Sequence, residues 1–320
     1  MARVSFGAIP IFAAFLVTTS GLLACDLCAI YNANGARGEG TKGFALTLAE
    51  QFTHSGTLQH NGSEVADPFH QYRDSSITSL ILSYNVHPRF GLTLNLPYIH
   101  RAFRRVEEGE IDEGTESGVG DMALLARFAA LSKVEHDYSY SLSFLAGVEF
   151  PTGDSSRLKE EVDEEETPGA PPSGVHGNDL ALGSGSFDGI VGATGNVRWR
   201  RVFFTTDAQY FIRTRGDFGY RFGNELSISG GPGVYVWFDE DKTLAVQAAF
   251  SYESKARDRV NGVKRDDGIV LAWYASPGLV FTFGEHFSAT ANVDIPIRIA
   301  NRSFQSVPDY RVRGGITYSF

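Results

Sequence analysis

The chain has little cysteine, methionine and tryptophan, with two, two and three residues respectively among 320. Beyond residue 24 it also lacks any run of about 18 apolar residues, the length that a membrane-spanning helix requires. The net charge is −10, so we expect no nucleic-acid partner, since such partners need clustered positive charge. A mean hydropathy of −0.13 excludes a bundle of membrane helices. It does not exclude a membrane β-barrel, whose strands show apolar side chains to lipid only at alternate positions.

The N-terminus has the pattern of an export signal. Arg3 supplies positive charge, and Ile9–Ala24 is a mostly apolar stretch that is short for a spanning helix. The last residues before Cys25 read Leu-Leu-Ala, which resembles the sequence cut before a lipidated cysteine. We therefore predict a signal peptide over 1–24 and a short periplasmic segment over 25–42.

The two cysteines, Cys25 and Cys28, lie together in a CxxC arrangement. Three interpretations stay open: a lipid anchor on Cys25, a disulfide formed in an oxidising periplasm, or a soft-metal or redox site made by the two thiolates. Haem attachment is disfavoured because Ala29, and not histidine, follows Cys28. A lipidated Cys25 would leave Cys28 as a single thiol and hold the segment against the membrane.

From about residue 43 onward the chain consists of runs that alternate apolar and polar residues. In the run 287–299 the odd positions are apolar, and the even ones include Asp294 and Arg298. Runs of ten or more residues exceed the usual globular strand and match a tilted membrane strand. The pattern predicts about twelve strands, near 43–53, 75–86, 89–101, 119–130, 137–150, 187–199, 202–213, 225–238, 243–255, 268–283, 286–299 and 310–320.

The last run, 310–320, has one apolar face that ends in Phe320 and one polar face that carries Arg311 and Arg313. A strand of this kind is typical of the closing strand of a bacterial outer-membrane barrel. A soluble sandwich would instead expose the polar face to bulk water.

Connection lengths alternate between short and long. The long links are predicted at 54–74, 102–118, 151–186, 214–224, 256–267 and 300–309. Short periplasmic turns and long extracellular loops are a feature of outer-membrane barrels, so we predict one all-β transmembrane antiparallel barrel over 43–320. The links 102–118 and 151–186 are acidic, and we expect solvated mobile loops there. The alternatives are a vestibule that attracts cations and divalent ions bridging to lipopolysaccharide.

Strand phase predicts which charged side chains point into the barrel. If the apolar faces meet lipid, then Phe204, Val293, Ile295 and Tyr318 point outward. The charged residues of the opposite phase form either an ion-pair network that fills the barrel or a constriction that selects a small polar or anionic solute. These lumen candidates are Asp121, Arg127, Asp188, Arg198, Asp207, Arg213, Asp294, Arg298, Arg311 and Arg313.

Three short motifs resemble a known family. Gly118–Asp121 precedes a predicted strand, Phe150–Asp154 leaves the next, and Gly183–Asp188 enters the third. Their order resembles the outer-membrane transporter family named for the meta-pathway of phenol degradation, over Gly118 to about Gly195. The resemblance implies a barrel and a transport role, with aromatic compounds as an association and no established substrate. The CxxC segment is not part of the family pattern.

These observations favour an outer-membrane channel or transporter for a small solute, aromatic or anionic, in contact with outer-membrane lipid and lipopolysaccharide. The alternative is a non-transporting, lipid-anchored barrel with a structural or metal-binding role through Cys25 and Cys28. We expect no enzyme and no cofactor. His54, His60 and His70 lie in a region predicted as flexible loop, which would not fix catalytic geometry. The oligomeric state stays open.

Overall fold

A computed structural model describes residues 43–107, 109–163, 171–239, 241–265 and 270–320. The predicted signal peptide, the segment 25–42 and both cysteines, Cys25 and Cys28, lie outside the described residues. Within the described ranges, no helix is long and apolar enough to cross a membrane.

Twelve long strands form a closed antiparallel barrel, which confirms the predicted fold class. Each strand pairs with the next one along the chain, and the last pairs with the first, Phe52 lying opposite Val312. The strands are β1 Gly43–His60, β2 Tyr72–His87, β3 Phe90–Glu107, β4 Met122–Val134, β5 Tyr138–Phe150, β6 Asp188–Trp199, β7 Val202–Ile212, β8 Glu225–Phe238, β9 Lys242–Lys255, β10 Val270–Phe283, β11 Phe287–Asn301 and β12 Gln305–Ser319.

The outer surface of the barrel is apolar. Large side chains that are exposed on it include Leu48, Tyr84, Leu124, Phe128, Phe144, Phe204, Val293, Ile295, Ile316 and Tyr318. Such a band is costly in water and favourable in lipid, and a closed barrel is one of the two structures that satisfy all backbone hydrogen bonds in a bilayer. The chain is therefore an outer-membrane barrel.

The predicted alternation of short and long links is confirmed, except for one of the links predicted to be long. Five turns at one end are short, and the links after β1, β3, β5, β7 and β9 at the other end are long. The link predicted at 300–309 is mostly strand, because β11 runs to Asn301 and β12 begins at Gln305. By the usual orientation of such barrels the short turns face the periplasm.

The acidic link 102–118 is not a mobile loop. β3 continues to Glu107 and pairs with an extra strand, Glu110–Val119, that rises beyond the barrel wall. Three of its four acidic residues lie directly opposite arginines, as in Arg105 against Asp112, where Nε donates to Oδ2 at 2.9 Å. Opposite charges facing each other across strands stabilise the pairing, so the acidic residues act as strand partners.

Candidate functional site

The interior of the barrel has an apolar wall, which the sequence pattern does not predict. Inward-facing side chains on β1–β4, β6 and β7 form a buried cluster together with Leu182, a residue of the β5–β6 link. The other members are Ala49, Ile77, Ile81, Ile99, Ala123, Leu125, Ile190 and Phe211. Alternation assigns a direction to each side chain, but it does not require that every inward residue be polar.

The β5–β6 link folds into the extracellular mouth, so the prediction of a solvated mobile loop is wrong for its described parts, 151–163 and 171–186. It contains two short helices, α1 Leu158–Asp163 and α2 Gly177–Leu180. Arg101 Nη1 donates to the backbone oxygen of Ala181 at 2.6 Å, and Arg73 Nη1 donates to Asp179 Oδ1 at 2.8 Å. Apolar side chains of this link, such as Leu182, are buried against the barrel wall. The acidic composition of the segment does not predict this burial.

Asp121 fastens the infolded link to the barrel. Its Oδ1 accepts from the backbone N–H of Gly153 at 2.9 Å, and its Oδ2 accepts from both the backbone N–H and the hydroxyl of Ser184 at 2.7 Å. A Cβ added at Gly183 would lie 2.6 Å from Gly153 backbone and 2.7 Å from Asp121 Oδ1, so only glycine fits there. The three sequence motifs are therefore parts of one structural unit.

A buried ionic cluster stands beside this unit. Arg213, 5% exposed, contacts a carboxylate oxygen of Glu149, lies 2.9 Å from Asp188 Oδ2, and lies 3.1 Å from Glu225 Oε1. The three acids come from the extracellular ends of β5, β6 and β8. Removing one partner of such a buried cluster leaves an uncompensated charge, which is strongly destabilising.

A second ionic cluster joins β9, β11 and β12. The guanidinium of Arg311, 1% exposed, donates from Nη1 and Nη2 to the two oxygens of Glu253 at 2.5 and 3.2 Å. Asp294 accepts from Arg313 Nη2 at 2.6 Å and also lies 3.6 Å from Arg311. Arg311 and Arg313 therefore both point into the barrel, as the alternation in the closing strand predicts.

A cavity of about 170 Å³ lies between the apolar wall and these cations, under the infolded link. Ile77, Ile99 and Leu182 line its apolar side. Arg213 and Arg311 also line it, together with the acids Asp121, Glu149 and Glu225, and residues 181–184 of the infolded link form its roof. The chamber therefore places an apolar surface beside charged groups of both signs.

The structure separates the ten lumen candidates into groups. Those buried in the interior are Asp121, Asp188, Asp207, Arg213, Asp294, Arg311 and Arg313. Two others lie near the periplasmic end, where Arg127 Nη2 donates to Asn85 Oδ1 at 3.0 Å and Arg198 donates to backbone carbonyls such as that of Glu135 at 3.1 Å. These two support turns and do not line the chamber.

The prediction that Arg298 points inward is wrong. The β10–β11 register shifts so that Trp273 lies opposite Arg298 while Tyr274 lies opposite Pro296. Ile297 is then an extra residue, and it reverses the phase of the rest of β11. Arg298 shares the outer face with Trp273, which is 44% exposed, and Ile299 turns inward with 8% exposure. Proline cannot donate to the ladder, which favours a bulge at this point.

Sequence reasoning missed several residues of the chamber. Glu149, Glu225 and Glu253 are the acids that hold the interior arginines, yet none was singled out as a candidate. Their strand phase would have included them, since each falls on the polar face of its run. Leu182 carried no signal, because it lies in a link that has no periodicity of its own.

Among the described residues, no group of three or more His, Cys, Asp or Glu side chains is arranged to hold a metal ion. His54 lies in β1, not in a loop, and its Nδ1 is 2.6 Å from Asp74 Oδ1.

No protein-family model matches the chain, and no curated protein matches it. Its fold is similar to that of an outer membrane channel from Pseudomonas putida F1, with 16% identity over 89% of this chain and 97% of that chain, and a TM-score of 0.56. The β domain of the Bordetella autotransporter BrkA is 10% identical over 88% and 100% of the two chains, with a TM-score of 0.45. At 16% identity, the likeness to the Pseudomonas channel shows that this chain shares the closed barrel fold of outer-membrane proteins.

Proposed function

We propose that the protein is an outer-membrane channel or transporter for a small solute with an apolar body and an anionic group, such as a single-ring aromatic carboxylate. The chamber under the β5–β6 link carries this proposal. Its lining combines the apolar side chains of Ile77, Ile99 and Leu182 with the guanidinium groups of Arg213 and Arg311.

The size of the chamber limits the solute. Its volume is about 170 Å³, and an apolar protein cavity of about 150 Å³ accommodates benzene. A solute with one ring would fill it, placing the ring on the apolar wall and a carboxylate toward the guanidinium groups. Ligand pockets commonly combine a mainly apolar lining with a few placed polar groups.

The interior is closely packed, which favours a gated passage over a wide pore. Inward-facing side chains at the middle of the barrel, such as Gln51, Ile77 and Asp294, have no exposed surface. A twelve-stranded barrel is intermediate between small side-chain-filled barrels and wide porins. Passage of a solute therefore requires the infolded β5–β6 link to move.

Planar-bilayer recording of the full chain tests the proposal. We expect small, discrete conductance steps that benzoate blocks and that benzylamine, a cation of similar shape, does not. Leu182→Ala should increase the unit conductance, because it removes a side chain from the roof of the chamber. The matched control Leu124→Ala changes a lipid-facing leucine and should leave the conductance unchanged.

The packed interior also favours a second candidate, a barrel that transports nothing. Absence of channels in both the wild type and Leu182→Ala, together with no benzoate uptake by proteoliposomes, would support that candidate. Its role would then depend on the N-terminal segment, where an acyl chain on Cys25 or a metal shared by Cys25 and Cys28 remains a proposal. Mass spectrometry of the mature N-terminus distinguishes these two possibilities.

A further inference from the structure

Asp207 differs from the other buried carboxylates of the barrel interior. It lies at the middle of β7, faces inward and is 5% exposed. Its Oδ1 accepts from Gln209 Nε2 at 3.2 Å, and its Oδ2 accepts no hydrogen bond within the described chain. No described Lys, Arg or His forms an ion pair with it, whereas Glu149, Asp188, Glu253 and Asp294 each contact an arginine.

The neighbours of Asp207 supply neutral oxygens. Thr194 on β6 and Ser229 on β8 lie directly opposite it in the two flanking strands. Directly paired residues share a face of the sheet, with Cβ atoms about 4.5–5.5 Å apart. Thr205 and Gln209 are the next inward-facing residues along β7, and both are buried. The carboxylate is therefore surrounded by hydroxyl and amide groups and by no positive charge.

A buried carboxylate oxygen that accepts no hydrogen bond from the protein is costly, and a bound cation lowers that cost. We propose that Asp207, with the hydroxyls of Thr194 and Ser229, binds one monovalent alkali cation, Na⁺ or K⁺, at the middle of the barrel. Hard cations prefer oxygen ligands, and protein sites for Ca²⁺ draw on several oxygens that include carboxylates. A single carboxylate among neutral oxygens matches an ion of one charge.

The site goes beyond the proposed function and does not depend on it. A bound cation would neutralise the carboxylate of Asp207. An anionic solute leaving the chamber would then meet a neutral wall. The same site would also exist in a barrel that transports nothing, because burial and not transport creates the need for a counter-ion.

Infrared difference spectroscopy of the full chain in detergent tests the site directly. The carboxyl bands of Asp207 are isolated by subtracting the spectrum of Asp207→Asn, first in N-methylglucamine chloride and then with added NaCl or KCl. We expect an ionised carboxylate whose bands shift saturably with Na⁺ or K⁺. A protonated carboxyl group that persists in both salts would overturn the proposal, as would carboxylate bands that do not respond. Asp137→Asn is the control, since that carboxylate lies exposed at a periplasmic turn and its removal leaves the barrel interior unchanged.

Thermal stability gives a second readout that does not involve conduction. An ion that binds only the folded state raises the unfolding temperature as the concentration of the ion rises. We expect NaCl or KCl, compared with N-methylglucamine chloride at equal ionic strength, to raise it by several degrees in the wild type and not in Asp207→Asn. An equal response in both proteins would count against the site. Channel activity can fail while both of these results hold, so the two proposals are tested separately.

Discussion

At the scale of single residues, several carboxylates point into the barrel, but each is contacted by different groups. Asp121 is held by backbone and hydroxyl donors of the infolded link. Asp188 is held by Arg213, and Asp207 is flanked by hydroxyls. Strand phase predicts that such residues point inward. It does not predict their partners, because these come from distant parts of the chain.

We expect Asp121→Asn to release the β5–β6 link from the barrel. An amide replaces one carboxylate oxygen by an NH2 group, which then faces either the N–H of Gly153 or the N–H of Ser184. At least one buried donor therefore loses its acceptor, at a cost of about 1–3 kcal/mol. Hydrogen–deuterium exchange should become faster in 151–163 and 171–186, and the unfolding temperature should fall. The control Asp137→Asn, at an exposed periplasmic turn, should change neither. Unchanged exchange in the Asp121 variant would contradict the anchoring role.

Tyr220, which lies outside the membrane strands, gives a pH-dependent prediction. Burial and the neighbouring Asp258 raise its pKa well above the usual range, and its hydroxyl donates to Asp258 Oδ2 at 2.6 Å. Because the folded-state pKa is raised, the stability due to the retained proton is complete below the unfolded pKa of about 10 and is lost as pH rises toward the folded pKa.

We therefore expect the unfolding temperature of the wild type to fall more steeply above about pH 10 than that of Tyr220→Phe. The phenylalanine variant should be less stable than the wild type at neutral pH by about 1 kcal/mol, because it lacks the hydrogen bond. Gel migration after heating at several pH values measures both effects. Parallel curves for the two proteins would contradict the prediction.

At the scale of elements, β1 and β11 each depart from simple alternation. The bulge at Ile297 turns Arg298 to the outer face of β11. On β1, Glu50 is exposed on the outer face, where it accepts hydrogen bonds from the hydroxyls of Ser76 and Thr78 on β2. In the sequence, Glu50 interrupts the apolar phase of the run 43–53. Cross-strand hydroxyls show how the strand tolerates a carboxylate there, since they replace part of its hydration.

The bulge in β11 predicts opposite outcomes for two similar substitutions. Arg298→Gln removes an exposed side chain that has no interior partner, so the free energy of unfolding should change by no more than about 0.5 kcal/mol. Arg311→Gln leaves the buried Glu253 without its arginine and should cost about 3–5 kcal/mol. Denaturant titration in detergent compares the two. A large loss of stability from Arg298→Gln would indicate that Arg298 points inward, as uninterrupted alternation predicts.

At the scale of the whole molecule, the fold predicts which end of the barrel faces the outside of the cell. The periplasmic end of β4 carries the exposed Lys133, and the long link after β9 carries the exposed Lys264. In intact cells, a membrane-impermeant maleimide should label Lys264→Cys and should label Lys133→Cys only after the outer membrane is permeabilised. The unsubstituted chain gives the background from Cys25 and Cys28. Labelling of Lys133→Cys in intact cells would invert the orientation.

The sequence by itself determined the barrel, its twelve strands and the direction of most side chains. These properties depend on alternation with period two and on link lengths, and both are local. Only the tertiary structure decided that the β5–β6 link fills the mouth, that its three glycine motifs meet at Asp121, and that Glu149, Glu225 and Glu253 hold the interior arginines. Those contacts join residues far apart in the chain, so they exist only once the barrel has closed and brought its strands around a common interior.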